Sequence, residues 1–458
     1  MESSFITLGV IKISGNEELK REISLSGAVA IISGMMIGSG VFILTGKGAG
    51  MAGPSVSLAF VLAGLTIIFF AGVLAVFGAA MPRAGGTYVY PSRILSPFWG
   101  NMVVWSVLLG GSASISITAL GFSSFLRTLF PFLPFILTGV VIIWIFFFIN
   151  LAGVKLASMA QMIMFGILLL ALIMFAGVGL FNLRPQLLSP FFPKEIGGFL
   201  SAWILLLYAY AGYQIVVDLG GEIKNPQKNI PRALAITFLI VIAVYFSVSL
   251  AAVGNLGWGE LGASEVGIVE AATEFLPPYG VLFLIVGGGL LALSTTLNGC
   301  FLAFSRDIYA AAKDKILPSR LASINKRFGT PHNSLFILAV ISTIAIVAIP
   351  NITYWGMLLG EGMMVGGIIL GVSGLLFPYR CKEIYEASPF KFKGPLKWMI
   401  PLIALFVSVF GFVASMAVYP EALVPLLLWI SFGILYYYWR KKLLKKRGIN
   451  IVRTFRNN

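Results

Sequence analysis

The feature that most constrains this fold is a series of long apolar runs, separated by short breaks that contain polar residues or proline. An apolar run of about 20 residues crosses a bilayer as an α-helix, and only helices or closed barrels satisfy their backbone polar groups there. With 59% hydrophobic and 11% charged residues among 458, the chain has too little polar surface for a soluble domain. The runs lack the ten-residue alternation of barrel strands. The sequence therefore predicts an all-α integral membrane protein.

The apolar runs predict twelve transmembrane helices. The first six lie near residues 25–46, 54–80, 97–126, 134–151, 154–181 and 197–219. The next six lie near residues 232–254, 279–312, 332–349, 351–378, 396–418 and 421–439. An even number of crossings places both termini on one side of the membrane.

The distribution of basic residues predicts which side that is. Of the 32 Lys and Arg residues, 28 fall in the tails and in the loops on the side of the termini. The other side holds Lys47, Arg127, Arg184 and Lys194. Because cytoplasmic loops carry an excess of basic residues, both termini are predicted to be cytoplasmic in a multi-pass protein of the cell membrane. The net charge of +15 is spread among short loops and forms no single stripe, so no nucleic-acid partner is predicted.

The first apolar run contains a cluster of small residues at mid-membrane depth. Residues 33–40 read SGMMIGSG, with three glycines and two serines in eight positions. Each glycine weakens a helix by about 1 kcal/mol relative to alanine. Gly34 and Gly38 form a GxxxG pair, so the cluster indicates either close helix packing or an unwound stretch.

The sixth run carries a second soft stretch, YAYAGYQ at 208–214. It lies about five helices after the first, as expected if two five-helix halves are inverted repeats and each begins with a broken helix. The predicted organisation is an N-terminal cytoplasmic tail (1–24), a first repeat (25–181), a second repeat (197–378), two further helices (396–439) and a basic cytoplasmic tail (440–458).

Helices broken at mid-membrane depth are well suited to a transporter of zwitterionic solutes. The N-terminus of a half-helix offers N–H groups and a dipole that favour a carboxylate, and unpaired carbonyls accept hydrogen bonds from an ammonium group. An amino acid fits both ends without a charged side chain in the protein. The pattern favours a transporter of amino acids that works by alternating access.

Four motifs resemble those of the amino acid-polyamine-organocation superfamily of permeases. They are GMMIGSGVF at 34–42, PRAGGTYVY at 82–90, EIKNPQKNIPR at 222–232, and SRDIY at 305–309 continuing to LP at 317–318. GVK at 153–155 is similar to the heteromeric and cationic amino acid transporter branches. The resemblance covers nearly the whole chain and implies the leucine-transporter-type fold of 5+5 inverted repeats, followed here by two C-terminal helices.

The resemblance also implies roles for single residues. Backbone N–H groups at Gly38, Ser39 and Gly40 would bind the substrate carboxylate, and carbonyls of Met36, Tyr208 and Ala211 would receive its ammonium group. Tyr208 and Tyr210 are the gate candidates, and Cys300 would face the side-chain pocket. Glu222 and Lys224 are placed in a cytoplasmic network at a helix end.

One departure from the family bears on ion coupling. Several proton-coupled relatives carry a lysine on the fifth helix, where this chain has Leu168. Exchange or facilitated diffusion is therefore favoured, with proton coupling through another group next. Sodium coupling through Ser294 and Thr295 stays open.

Two acidic residues lie within apolar runs, where an ionisable group is a functional hypothesis by default. They are Asp218, late in the sixth run, and Glu361, in the tenth. Each lies either at the water interface or in the interior. In the interior, each would be a candidate proton carrier or a counter-charge for a basic substrate.

Other function classes lack their motifs. The chain has no HExxH, no GxSxG and no P-loop, so an enzyme is not expected. The single histidine, His332, and the two cysteines, Cys300 and Cys381, form no metal signature, and no cofactor is predicted. A channel and a membrane sensor that does not transport remain minor alternatives. Neutral amino acids are favoured as substrates, and a cationic amino acid or polyamine is the second choice.

Overall fold

The computed structural model describes residues 19–264, 266–418 and 420–449. Residues 1–18 of the predicted N-terminal tail and residues 450–458 of the predicted basic tail lie outside this part. The described chain is helical, and its only strand-like contacts are two isolated bridges, Ile23 with Ile223 and Ala84 with Leu219. The all-α prediction is confirmed for the described residues.

The helices of the first half are α1 (Leu25–Ala52), α2 (Val56–Ala80), α3 (Gly86–Ile94), α4 (Pro97–Leu129), α5 (Phe135–Leu151) and α6 (Val154–Phe181). The second half contains α7 (Glu195–Leu207), a 3₁₀ turn (Tyr208–Tyr210), α8 (Ile215–Asp218), α9 (Pro226–Asn255), the short α10 (Trp258–Ala263) and α11 (Gly267–Thr273), α12 (Pro278–Phe283), a π-helical turn (Leu284–Leu290), α13 (Leu291–Lys313), α14 (His332–Ala348) and α15 (Ile352–Arg380). The last helices are α16 (Lys382–Ala387), α17 (Leu396–Val418) and α18 (Leu423–Lys446).

Membrane-spanning length and composition are found throughout the described chain. Nine helices in it are long and apolar enough to cross a membrane, and three shorter apolar helices cover Leu25–Gly38, Phe135–Leu151 and His332–Ala348. Each of the twelve predicted segments coincides with helix. The number of crossings itself stays a prediction.

Packing brings equivalent helices of the two predicted halves together. Helix α1 packs against α7, α2 against α9, α4 against α13, and α5 against α14. Helix α1 also contacts α6, α9 and α13, so it lies at the centre of the bundle. The repeat boundaries remain a prediction.

Two elements differ from the predicted segments. Helix α3 occupies a stretch expected to be loop; its N-cap, Gly85, has a positive φ of 70° that glycine adopts freely. Helix α18 continues to Lys446, past the expected end at 439. Its Arg440 is buried and donates hydrogen bonds to the carbonyls of Lys315 (3.0 Å) and Leu317 (3.3 Å). The first part of the basic tail is therefore a packed helix.

We call the end of the bundle where α1 begins and α18 ends the tail side, and the opposite end the far side. On the tail side, the N–H of Ile23 donates to the carbonyl of Glu222 (3.0 Å), and that of Lys224 donates to Ile23 (2.9 Å). On the far side, α10 and α11 cover the second half of α1. There the exposed Arg184 and Glu274 are 3.0 Å apart.

A buried ion pair joins α13 to the segment after α8 on the tail side. The Arg306 Nη2 lies 3.1 Å from Glu222 Oε1, and the two side chains are 0% and 1% exposed. Burial raises the pKa of the Glu222 carboxyl, and the neighbouring Arg306 guanidinium opposes that shift. Glu222 thus belongs to a helix-end network, as the sequence indicated.

Replacing Arg306 with methionine is expected to destabilise the protein strongly. The change leaves the Glu222 charge buried without its partner, which costs about 3–5 kcal/mol. Thermal unfolding in detergent measures the effect. Arg184→Met, in the exposed pair, is the matched control and should change stability by about 0–1 kcal/mol. A double variant, Arg306→Met with Glu222→Met, should recover much of the loss; no recovery would contradict this account.

Thiol labelling of Cys381 tests the predicted topology. Cys381 follows α15 on the tail side and is half-buried, whereas Cys300 is fully buried. A membrane-impermeant maleimide should therefore label Cys381 only from the cytoplasmic face of oriented vesicles, and Cys381→Ser should abolish the signal. Burial raises the pKa of this thiol, so labelling should accelerate with pH above neutrality. Labelling from the outside alone would reverse the topology.

Candidate functional site

Helix α1 is interrupted at Gly38, within the predicted glycine cluster. Gly38 has φ 24° and ψ −143°, which breaks the helical hydrogen-bond ladder. A Cβ at this position would lie 2.5 Å from the Oγ1 of Thr296 on α13. Both the positive φ and the close approach of α13 require glycine here. The unwound alternative to simple close packing is the one observed.

The second interruption lies between α7 and α8. After the 3₁₀ turn at 208–210, Ala211 is extended (ψ 147°) and Gly212 has φ 111°. A Cβ on Gly212 would lie 2.8 Å from the Cγ of Met35 in α1. The side-chain oxygen of Gln214 accepts the Gly212 N–H at 3.1 Å. Backbone groups that a continuous helix would pair are here paired locally.

The two interruptions lie against each other. A Cβ on Gly40 would be 3.3 Å from the Cα of Ala209. The hydroxyl of Tyr245, on α9, lies 2.6 Å from the carbonyl oxygen of Met36 and 2.8 Å from that of Ala209. One buried side chain thus contacts the backbone of both broken helices.

The predicted substrate-binding backbone groups lie at these interruptions. Gly38, Ser39 and Gly40 form the start of the second half of α1, where a half-helix presents its N–H groups. The Tyr208 carbonyl accepts the Ala211 N–H at 3.1 Å. Since a carbonyl has two lone pairs, each hydrogen-bonded carbonyl can accept once more. The assigned carboxylate and ammonium roles stay predictions.

The predicted pocket and gate residues separate into two groups. Tyr208 lies beside Gly360 of α15, and Cys300 Sγ is 3.2 Å from the Oγ of Ser114 on α4. Tyr210 instead donates its hydroxyl hydrogen to the carbonyl of Phe60 on α2 (2.8 Å). Its ring stacks on Phe238 of α9. This placement gives Tyr210 a packing contact between α2 and α9 and leaves Tyr208 as the stronger gate candidate.

The two candidate sodium-binding hydroxyls also differ in their contacts. Thr295 Oγ1 lies 2.9 Å from the carbonyl oxygen of Gly34, next to the interruption in α1. Ser294 Oγ donates to the carbonyl of Leu290 in its own helical segment at 2.9 Å. In the part of the chain that the structure describes, no group of three or more His, Cys, Asp or Glu residues is arranged to hold a metal ion.

Comparison with known proteins decides the family. The family model described as amino acid permease matches residues 23–438. The chain belongs to the amino acid permease family. It is therefore a transporter and not an enzyme.

Three relatives of this permease come from Bacillus subtilis (strain 168). The branched-chain amino acid permease BcaP is 25% identical over 93% of this chain and 94% of its own length. A methylthioribose transporter is 24% identical over 93% of this chain and 94% of its own length. The serine/threonine exchanger SteT is 30% identical over 68% of this chain and 73% of its own length.

The permease buries both acidic residues that the sequence singled out. Asp218 is 1% exposed, and its Oδ1 accepts the Thr87 N–H at 2.8 Å. Glu361 is 0% exposed and accepts a hydrogen bond from Ser415 of α17. Both side chains are buried within the described structure, and their depth in the membrane stays a prediction. Glu361 lies between α15 and α17, and its hydrogen bond ties it to α17 instead of to either interruption.

Sequence reasoning missed Asp307 as a site residue. This residue of α13 is fully buried, accepts the Tyr88 N–H at 3.2 Å and lines the same small cavity as Asp218. It was visible only as a member of the SRDIY motif. Because the pairing with Asp218 joins residues 89 positions apart through α3, no local pattern could have indicated it.

A buried amide cluster was also missed. Asn298 of α13 donates to Gln161 Oε1 (2.8 Å) and to the Ala157 carbonyl (3.0 Å), both on α6. Its own oxygen accepts from Asn150 of α5 at 2.9 Å. The cluster joins three helices beside the first half of α1. Isolated amides in apolar runs were the available signal.

Substituting Gly38 with alanine is expected to abolish most uptake. The new Cβ meets Thr296 and the backbone is strained, at a cost of about 1–3 kcal/mol, enough to slow transport about tenfold. Gly166→Ala is the control, because Gly166 has nothing within 4 Å of its added Cβ. Initial rates of amino acid uptake, normalised to folded protein, measure both. Equal rates for Gly38→Ala and wild type would remove Gly38 from the site.

Proposed function

We propose that this permease carries amino acids across the cell membrane by alternating access, as a secondary active transporter or exchanger. The observation that carries the proposal is the meeting of two interrupted helices at Gly40 and Ala209. The start of one half-helix and the extended backbone near Ala211 then face the same region. Such an arrangement supports binding of a solute that has a carboxylate at one end and an ammonium at the other.

The proposed binding mode uses backbone groups at both ends of the solute. The carboxylate accepts from N–H groups at Gly38, Ser39 and Gly40, because the half-helix dipole favours an anion there. The ammonium donates to carbonyls of Met36, Tyr208 and Ala211. Tyr208 covers the bound substrate, and its neighbour Gly360 leaves room for it to move.

Neutral amino acids are the favoured substrates. Met35 and Thr296, the side chains that approach the glycines of the two interruptions, are uncharged. Asp218 already accepts the Thr87 N–H, and Glu361 is bonded to Ser415, so neither is placed as a free counter-charge. Two relatives whose names specify branched-chain amino acids or serine and threonine agree with this choice. Cationic amino acids and polyamines are the second choice.

Membrane orientation and repeat organisation belong to the same proposal. Both termini lie in the cytoplasm, so the tail side is the cytoplasmic face. The segments 25–181 and 197–378 are the two inverted repeats, and 396–439 adds two helices outside them. During transport, one group of helices moves relative to the other around the two interruptions, which opens the site to each side in turn.

Counterflow in proteoliposomes tests the proposal. Vesicles loaded with unlabelled leucine or serine should take up the matching labelled amino acid. Vesicles loaded with arginine, putrescine or methylthioribose should take up their own labelled solute much more slowly or not at all. Stimulation by internal substrate distinguishes exchange from simple leakage. Preferred uptake of arginine or putrescine would move the assignment to cationic substrates.

Two further results would overturn the proposal itself. One is transport of methylthioribose alone, a solute that the name of one relative specifies. The other is no uptake of any amino acid by protein shown to be folded and inserted. Gly166→Ala, with its unhindered position, serves as the folded reference in each assay.

A further inference from the structure

Two carboxyl groups meet in the interior of the tail-side half of the bundle. Asp218 ends α8 and Asp307 lies on α13; their side chains line one small cavity and accept hydrogen bonds from N–H groups of consecutive residues in α3. Their residues are 1% and 0% exposed. No salt bridge joins either one to a Lys or Arg side chain of the described residues. The pair thus consists of two buried acids that flank one cavity and one helix N-terminus.

Helix α3 donates to both acids from its first turn. The Thr87 N–H is 2.8 Å from Asp218 Oδ1, and the Tyr88 N–H is 3.2 Å from Asp307 Oδ1. In addition, the Gly85 N–H donates to the backbone carbonyl of Asp218 at 2.8 Å. Helix N-termini stabilise negative charge through such N–H groups and the helix dipole. One ionised carboxylate is accommodated by this arrangement.

A second ionised carboxylate is not accommodated. The charged group nearest in sequence, Arg306, is bonded to Glu222, and the Tyr88 hydroxyl donates to Asp314 at 2.8 Å. Two further titratable groups lie near the acids: Tyr90, and Tyr213, which lines the same cavity. The residues that helices α2, α4 and α15 contribute to the cavity beside the pair are all uncharged.

Unpartnered polar atoms surround the pair. Asp307 Oδ2, the Tyr90 hydroxyl and Thr87 Oγ1 are buried and have no hydrogen-bond partner in the described structure. A cavity of about 50 Å³ is lined by Thr87, Asp218, Asp307 and also by Gln214 of the second interruption. It is large enough for a water molecule, which needs about 10–15 Å³ by this measure. The pair is therefore in contact with the region of the predicted substrate site.

We propose that Asp218 and Asp307 share one proton and form a proton-binding site that couples proton movement to substrate transport. Two carboxylates that are buried around one small cavity and bound to consecutive N–H groups repel each other strongly if both are ionised, so the two carboxyls hold a single proton between them. The site deepens the proposed function and rests on it for its coupling role. The proton enters from one side of the membrane and leaves to the other, without any covalent step.

The location of the two acids links proton release to movement of the broken helices. Asp218 belongs to the helix that continues from the second interruption, whereas Asp307 belongs to α13, which contacts α1 at Gly38 through Thr296. A shift of α8 relative to α13 separates the acids from each other and from the N-terminus of α3. Water then reaches both carboxyls, and the shared proton is released. Substrate and proton are thereby required to change sides together.

Infrared spectroscopy of the purified full-length permease in lipid tests the shared proton directly. Among the described residues, Glu361 is the other buried carboxyl without a cationic partner, and the Glu361→Gln background removes it. A protonated-carboxyl band is expected in this background at neutral pH and should be lost in Asp307→Asn. Asp218→Asn is the second variant, in case the first does not fold, and asparagine preserves the acceptor for Thr87. A band that is absent in the background, or unchanged in both variants, would overturn the proposal.

Transport driven by a pH gradient tests the coupling. Wild type should accumulate labelled leucine or serine above equilibrium when protons flow down their gradient, and Asp307→Asn should lose that accumulation. Glu260→Gln, at an exposed acid of α10 on the far side, is the matched control and should accumulate like wild type. Accumulation driven by sodium alone, or equal accumulation in Asp307→Asn, would overturn the coupling. Absence of wild-type counterflow would instead count against the proposed function, while the infrared result still decides the proton site.

Discussion

The whole structure depends on a constraint of the lipid interior: every backbone N–H and C=O group there needs a partner from the protein. Two helices break this pattern, at Gly38 and at 208–214, and the bundle places both breaks where other protein groups surround them. Helix α9 contributes the Tyr245 hydroxyl and α13 contributes Thr295. The central position of α1, in contact with α6, α7, α9 and α13, follows from the need to enclose its own interruption.

The buried charged residues on the tail side also need partners from the protein, because little water reaches them. Arg306 and Asp307 are neighbours on one helix, yet they face different partners: Arg306 pairs with Glu222, and Asp307 meets Asp218. Successive helical residues point in directions about 100° apart, so one helix serves two sites. Helix α3 contacts Asp218 and Asp307 at its N-terminal end. Near its C-terminal end, Arg93 Nη1 lies 2.9 Å from Asp314 Oδ2, and this ion pair holds the helix to α13. The PRAGGTYVY motif thus builds the element that holds both acidic partners.

Much of this architecture could be predicted from the sequence, because long apolar runs leave a membrane chain few alternatives to helices. The glycine cluster at 33–40 marked the first interruption, and the soft stretch at 208–214 marked the second. Helix α3 could not be predicted from hydropathy, since it is short and polar and depends on tertiary contacts of Thr87 and Tyr88. The orientation of Tyr210 toward α2, and the meeting of Asp218 with Asp307, depend on which helices pack together. Which helices pack together is set by the tertiary structure and cannot be inferred from a short stretch of sequence.

The Tyr245 hydroxyl has a further consequence, because a phenol carries one hydrogen and two carbonyl oxygens lie within its reach. At any instant it donates to Met36 or to Ala209, and the other oxygen is short of one donor. That deficit alternates between the two broken helices and is confined to a buried position. A second N–H or O–H donor beside the Tyr245 hydroxyl, neutral or charged, lets both carbonyl oxygens accept at once and leaves the two broken helices joined through one shared position.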